Sequence, residues 1–476
     1  MTQVVSKSMQ IRERLGHPVV DADGHYIDLH GVFESYVRDR GRGDLMDRSA
    51  FKTFVPGETQ EERVARIGIP GFWIAPGETR YFSTVTVPSL YYERLGEAGV
   101  DFAILYPTNA VRIVHDADDE CRVELCRLFN ERLVEDYGPY FDRFAPAALI
   151  PMHSPEEAVA GLEHAASIGL KVGLIPAFVK RPVRENAVGF AMTGNQRIDT
   201  YGIDSEHDYD PVWRKAIELG MALACHSTGM GFTERSSRTN YCYNHMGHFA
   251  ATGEAIAKSL FLGGVTRRFP ALRIACLEGG VSGGVRLYGD LVSHWKKRGG
   301  PFIQRLNPAN LDLAELDRIF RSQGGRLAQF SAEQLVAELG SPTDGCDDFE
   351  LSGVESVEDI RDQFCPNFYW GCEADDPLVG LAFDERVNPL GARVHAVFSS
   401  DIAHWDVPEF DEPLAEAYEL VEHGILDEDQ LREFVFTNAV GLYAGMNPRF
   451  FEGTAIERET AAVLADPTAA AILAEG

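Results

Sequence analysis

Asp23 and His25 stand two residues apart in the segment Val20-Asp21-Ala22-Asp23-Gly24-His25. Alternate side chains of an extended chain share a face, so the two project together and offer a carboxylate and an imidazole to one divalent metal. A hydrogen-bonded Asp–His pair at a strand end gives the same pattern. His226 closes the apolar run Met221-Ala222-Leu223-Ala224-Cys225-His226, and Asp401 closes Val397-Phe398-Ser399-Ser400-Asp401, just ahead of His404, Trp405 and Asp406. An acid directly after a buried strand needs a partner, because an unpaired charge there is costly. Glu278 and Glu373 end two further apolar runs. Taken alone, His226 reads more often as a satisfied core histidine than as a ligand, and each of the other signals is weak; together they fall at the same end of the segments that precede them.

Those segments follow one grammar: a short apolar, β-branched run, a polar loop, then helical spacing. Eight strands are expected, over 19–25, 102–107, 144–152, 172–178, 222–226, 273–278, 367–373 and 395–401. Among the helices, Ser154-Pro155-Glu156-Glu157 supplies an N-cap, a first-turn proline and a capping-box glutamate, with Gly169 as the stop. Asp210-Pro211 opens another in the same way. Periodicity does not separate an open α/β sheet from a closed (β/α)8 barrel. The acids and histidines do, because the ends of strands 1, 5, 6, 7 and 8 converge only at the mouth of a barrel. The expectation is a single TIM-barrel domain over residues 1–476, with insertions at about 37–95 and 297–366 and a helical tail at about 446–476. Structureless loops of that length are improbable, so the insertions are expected to carry helices and to serve as lids or subunit contacts.

Composition narrows the partners. The chain carries 44 basic and 73 acidic residues, a net charge of −29, which repels the phosphate backbone and anionic lipid. Nucleic-acid and membrane partners are therefore not expected. No apolar run approaches the roughly 20 residues of a membrane span, the first residues lack a secretory apolar stretch, and the reading is cytoplasmic. The eight cysteines are dispersed with no C-x-x-C pair, and read as reduced thiols; Cys225 and Cys276, inside apolar runs, are expected to be buried.

Asp23-Gly24-His25, Cys225-His226-Ser227, Gly263-Gly264 with Arg267-Arg268-Phe269-Pro270, Cys276-Leu277-Glu278-Gly279-Gly280, His294-Trp295, Cys372-Glu373, and Ser400-Asp401 with His404-Trp405-Asp406 carry a resemblance. The sequence, from about residue 18 to 445, resembles the amidohydrolase-related branch of the metal-dependent hydrolase superfamily, in its Asp-x-His subgroup. The resemblance implies a distorted TIM barrel and one or two divalent ions, with Asp23, His25, His226 and Asp401 as ligands. Asp23 replaces the first histidine of the usual pair; its anionic oxygen tilts the site from zinc toward manganese or iron, with zinc still an option. The lysine that bridges two ions in many relatives has no counterpart at the end of strand 4, since Lys171 lies at the wrong end and Lys180 in the following loop. A second ion would call on Glu278, His245 or Glu373. Glu278 stands where decarboxylase relatives carry a catalytic histidine. Asp401, His245 and Glu278 are the expected catalytic groups, and His248 is given a structural role.

Arg112 and Arg238, with Arg235, Lys180 and Arg181, are placed to reach a substrate carboxylate. Phe72, Trp73 and Tyr81 form either an apolar lid or a satellite core under the first insertion. Asp290 and His294 either orient a ligand or pair with each other, and Asp28 and His30 lie behind strand 1. The implied activity is hydrolysis or decarboxylation of a small organic acid or amide. Two other readings remain: a component of a dinuclear iron or manganese oxygenase, and a non-catalytic partner in a hetero-oligomer. The expected assembly is a homo- or hetero-oligomer.

Overall fold

The apolar runs become eight parallel strands in the computed structural model: β1 (Val20–Tyr26), β2 (Phe102–Pro107), β3 (Phe144–Leu149), β4 (Val172–Ile175), β5 (Ala222–Cys225), β6 (Ile274–Cys276), β7 (Phe368–Glu373) and β8 (His395–Ser399). They pair in that order as one sheet curled into a nearly closed TIM-type barrel with helices outside. Every strand residue is buried except Glu373, which fits strands covered on both faces by core and helices. The structure describes residues 5–50, 76–183, 196–226, 239–338 and 347–467, and positions 55, 57–59, 61–62 and 237.

Several strands stop one to three residues short of the sequence expectation: β3 ends at Leu149 and β4 at Ile175. The difference matters at the rim, where His226, Glu278 and Asp401 follow the last paired residue instead of lying in the sheet. The register Cys225↔Cys276 places His226 and Leu277-Glu278 at one level. Between β1 and β8 the wall closes through side chains and loop backbone. Asp21 accepts from Ser400 N at 2.9 Å and Ser400 Oγ at 2.5 Å. Beyond it, Asp401 N donates to Asp23 O and His25 N to Ile402 O, both at 3.1 Å.

Ser154 caps the helix Pro155–Ser167 as expected, its hydroxyl accepting from Glu157 N at 3.2 Å. The expected return bond is replaced: the Glu157 carboxylate accepts from Arg122 Nε and Nη2 at 3.0 and 2.6 Å. Asp210 lies inside the first turn of the helix Asp210–Leu219 and pairs with Arg268 at 2.8 Å instead of capping it. Trp370 of β7 meets the helix Val281–Arg298 at Gly284, where a Cβ would come 2.3 Å from the indole. Closer backbone approach there buries one of the largest side chains of the core, worth about 2–3 kcal/mol.

Both insertions carry helices. The first contributes His30–Asp39, Gly43–Arg48, Thr79–Thr86 and Pro88–Arg94; the second contributes Leu313–Gln323, Ala332–Ala337 and Val357–Phe364. Leu313–Gln323 has no buried residue, and Leu306, Leu311, Leu313, Ile319, Leu327 and Phe330 are exposed around it. In the tail, turns lead to the helix Glu457–Ala465. Among the described residues seven cysteines are unbridged, all buried except Cys242, and no helix is long and apolar enough to cross a membrane.

Candidate metal centre

A bulge aims β1 into the mouth. Its pairing with β2 slips between Asp21 and Gly24, where three steps along β1 match two along β2. This bulge leaves the Asp21 carboxylate against position 24, where a Cβ would come 2.6 Å from Asp21 Oδ2, so only glycine fits. Asp23 lies within the bulge and His25 just past it, and both are fully buried.

The other groups follow the ends of β5, β6 and β8. Glu278 and Asp401 adopt left-handed backbone, with φ of 56° and 49°, a conformation that costs about 1–3 kcal/mol outside glycine and persists where the surroundings enforce it. Beside Glu278, Gly279 packs on the helix His248–Leu262, where a Cβ would come 2.8 Å from Ala250 Cα. After Asp401 the chain turns again at Ala403, φ 87°, whose N–H donates to the Tyr81 hydroxyl at 3.0 Å. The turn brings His404 back over Asp401. Tyr81, from the first insertion, is buried in the main core and props this loop.

His25 Nε2 is the hub. It lies 2.9 Å from His226 Nε2, 3.2 Å from Asp401 Oδ1, 3.4 Å from Asp23 Oδ1 and 3.6 Å from Glu278 Oε1. His226 Nε2 is 3.0 Å from Asp23 Oδ1 and 3.4 Å from Glu278 Oε1. His404 Nδ1 is 2.5 Å from Asp401 Oδ1 and 3.4 Å from Glu278 Oε1. Bonds of about 2.1 Å to a metal place neighbouring donor atoms about 3.0 Å apart in an octahedron and about 3.4 Å apart in a tetrahedron. The separations around His25 and His226, 2.9 to 3.6 Å, bracket those edges, and the 2.5 Å between His404 Nδ1 and Asp401 Oδ1 is shorter than either. Two donor groups share His25: Asp23, His25 and His226, and His25, Glu278, Asp401 and His404.

The polar accounting also fits a cation. Among the described residues, both Asp23 carboxylate oxygens, Asp401 Oδ1 and His25 Nδ1 are buried without a hydrogen-bond partner, the imidazole nitrogens of His226 and His404 being the nearest polar atoms to Asp23 Oδ1 and Asp401 Oδ1 at 3.0 and 2.5 Å; native interiors rarely tolerate such groups. Burial pushes the Asp23 carboxyl up, but the His226 and His25 rings outweigh it and hold Asp23 below the ordinary range. Burial, helped by His404 and His226, lowers His25 to about 3. For His226 burial acts downward and is overcome by Asp23 and Glu278, which raise it to about 9. Asp401 is pushed far up by burial and by Glu278, Asp406, Asp23 and Glu373. Glu278, like Asp23, is held below the ordinary range by the neighbouring imidazoles against the pull of burial, and both acids push Asp401 up, a crowding of negative charge that one divalent ion would balance.

The other expected groups lie around this centre. His245 belongs to neither donor group; its Nε2 is 3.9 Å from Asp406 Oδ2 and its ring packs edge-on to Trp405 at 5.7 Å. Glu373, also outside both groups, is raised to about 8 by burial and by Asp406, Glu278, Asp375 and Asp376. Lys171 donates to Phe450 O at 2.6 Å, at the end of β4 away from the mouth. His294 Nδ1 donates to Asp290 O at 2.6 Å, His30 Nε2 faces Glu34 at 3.7 Å, and Asp28 accepts from Asn109 N at 2.8 Å. His248 is a buried residue in the first turn of its helix. Arg112 stands on the turn Ala110–His115 after β2. Arg235, Arg238, Phe72 and Trp73 lie outside the described residues. Sequence reasoning noted His404 in a motif but gave it no role; its spacing of three from Asp401 was the available signal. Asp21 was passed over entirely.

An amidohydrolase family model matches residues 21–445. Among solved structures, an amidohydrolase of Mycobacterium avium subsp. paratuberculosis K-10 aligns over 90% of this chain and 100% of its own, at 18% identity and a TM-score of 0.55. A 2,6-dihydroxybenzoate decarboxylase of Rhizobium aligns over 90% and 98%, at 16% identity and a TM-score of 0.48. A dihydroxybenzoic acid decarboxylase of Polaromonas sp. JS666, with bound manganese and 2-nitroresorcinol, aligns over 90% and 97%, at 18% identity and a TM-score of 0.49. No curated protein matches the sequence. At such identities the likeness is one of fold.

Proposed function

This chain belongs to the amidohydrolase family, its match spanning residues 21–445, and from that premise we propose that it is a metal-dependent enzyme that hydrolyses or decarboxylates a small organic acid. The observation that carries the reading is the convergence of Asp23, His25, His226, Glu278, Asp401 and His404, at coordination-edge spacing and with carboxylate oxygens that lack any other partner. Asp23, His25, His226 and Asp401 would hold a divalent ion, with Glu278 and His404 completing the shell or serving a second ion. The carboxylate share of the set favours manganese or iron over zinc. Bound there, the ion supplies Lewis-acid polarisation of a substrate carbonyl or carboxylate and lowers the pKa of water at the site.

The chain's own groups do the rest. Asp401 Oδ1 lies 2.5 Å from His404 Nδ1, so a proton taken from the substrate side or returned to it can pass between the two groups without leaving a bare buried charge. His245, with Asp406 3.9 Å away and Trp405 against its ring, is the acid or base farther out in the mouth. Glu373, half-buried and raised to about 8 by burial and by the like charges around it, holds a proton near neutrality and presents a donor instead of an anion. Tyr106 stacks on the His226 ring at 5.0 Å and fixes its plane.

A second reading, oxygen chemistry at an iron or manganese pair, is favoured by one observation: two donor groups meet at His25 without a bridging lysine. Elemental analysis and anaerobic assay separate the readings. The hydrolase or decarboxylase account expects about one ion per chain, turnover of a small-acid panel that persists without oxygen, and loss of both metal and turnover in His226→Ala. Turnover that stops on removing oxygen, with two ions bound, supports the second reading. A metal-free protein that is fully active refutes both.

A further inference from the structure

We propose that the second insertion is a docking arm for a second copy of this chain. Residues 304–338 of each copy lie in the groove between the helices His248–Leu262 and Val281–Arg298 of the other, about a two-fold axis. The inference concerns assembly and is independent of the reaction at the metal centre.

The arm is folded but uncovered. Asp312 caps the helix Leu313–Gln323 by accepting from Glu315 N at 2.9 Å, and Asp317 ties that helix to the helix Ala332–Ala337 by accepting from Ala332 N at 2.7 Å. Between residues 304 and 338 only Ala332 is buried. Leu306, Leu311, Leu313, Ile319, Leu327 and Phe330 leave 36 to 53% of their surface exposed, and among the described residues no apolar side chain of the arm packs on the barrel core. Isolated helices shorter than about 12–15 residues are marginal in water, so this helix of 11 residues needs a surface to pack on. The stretch is long enough to supply the roughly 20–30 residues a side of a standard interface.

The apolar face alone names no occupant; the charge around it does. Residues 296–330 hold seven basic residues and three acids, whereas 347–362 hold seven acids and one base, in a chain of net charge −29. Two such chains repel over most of their surface and attract where the basic stretch of one meets the acidic stretch of the other. Arg305, Arg321 and Arg326 on the first stretch, and Glu350, Glu355 and Glu358 on the second, are exposed and make no ion pair among the described residues.

The acidic stretch borders a groove that fits the arm. Two adjoining cavities of about 830 and 720 Å³ share Ile203, Glu254, Lys258, Leu262 and Arg286. Leu287 and Leu291 wall the second, and residues 347–351 close it, with Leu351 60% exposed. No residue of the chain's own arm lines either cavity. Arm and groove are nonetheless neighbours: the helix Val281–Arg298 runs into the arm through the turn Gly300–Leu306, and Asp347 accepts from Gly300 N at 2.8 Å, which fastens the acidic stretch to the root of the arm. A two-fold axis beside that root makes both arm-in-groove contacts at once, each copy giving the basic arm and receiving it on the acidic rim.

Sedimentation velocity on the full chain tests this. A dimer is expected, with a dissociation constant that rises with ionic strength. Arg321→Glu with Arg326→Glu, and separately Glu350→Arg with Glu355→Arg, should each raise that constant at least tenfold. All four changes in one chain should restore most of the affinity, because the reversed arm then meets a reversed rim. The substituted side chains are exposed, so thermal melts of the variants should match wild type. Hydrogen exchange locates the contact: amides of the helix Leu313–Gln323 should be protected in the dimer and lose protection on dilution. A monomer at every concentration assigns the arm to a different protein and overturns the proposal. A dimer indifferent to both reversals, or a combined variant no tighter than either reversal alone, overturns it as well.

Discussion

Asp21 joins residues 379 positions apart: its two oxygens accept from Ser400 N and Ser400 Oγ, and Oδ1 also accepts from Asp23 N at 3.1 Å. Burial raises its carboxyl to about 7 against the pull of those donors. Removing the side chain strands three buried donors beside Asp23 and Asp401, two of the proposed ligands. Asp21→Ala is therefore expected to lower stability by roughly 3 kcal/mol or more and to weaken metal binding with it; chemical denaturation and metal titration of the variant check both. At this scale the sequence was legible where a polar residue closed an apolar run. Asp23, His25, His226 and Asp401 stood out for that reason, and all four lie in the cluster. His404 depends on the left-handed turns at Asp401 and Ala403, and Asp21 on a partner from the far end of the chain; neither is encoded in local spacing.

Elements rather than single ligands set the direction of the donors. The β1 bulge is made possible by Gly24, whose missing Cβ leaves room for the Asp21 carboxylate. Gly24→Ala forces a contact of 2.6 Å to that carboxylate and 3.3 Å to Ile104 O. The expected cost is about 1–3 kcal/mol, with metal affinity falling by at least tenfold as Asp23 shifts. Thermal melts with and without added metal measure it, and a variant of wild-type stability and affinity contradicts this role of the bulge. Strand existence and order were readable because each run was short, apolar and turn-bounded, whereas strand ends were not: the rim residues continue an apolar pattern after the ladder has stopped. The capping box at Ser154 was misjudged because a buried arginine outcompetes the N-cap amide for Glu157.

Across the whole molecule, the barrel buries titratable groups far from the mouth as well. His395 opens β8, stacks on Tyr369 at 4.7 Å, and is lowered to about 3 by burial and then by Arg273. The folded protein keeps this ring neutral while the unfolded chain takes up a proton near pH 6.5. Between pH 6.5 and 3 the unfolded state binds the extra proton, so His395 adds a loss of stability on acidification of up to about 1.4 kcal/mol per pH unit. Urea denaturation at pH 7, 6, 5 and 4 should show a shallower acid slope for His395→Gln than for wild type. Asp28, raised to about 7 by burial, has the opposite sign: its contribution is present at low pH and is lost as pH rises toward 7. The barrel was legible at this scale because the acids and histidines required a common mouth. The second insertion was legible as helical, but the exposed faces of Leu313, Ile319 and Phe330 carry no pattern in sequence that names what they meet.

The most direct test of the account is the location of bound metal in crystals of the metal-saturated protein by anomalous scattering. The account predicts an ion about 2.0–2.3 Å from Nε2 of both His25 and His226, with a carboxylate oxygen of Asp23 or Asp401 in the same shell. Saturated crystals with no anomalous peak between those side chains, or with the ion held elsewhere, would contradict it.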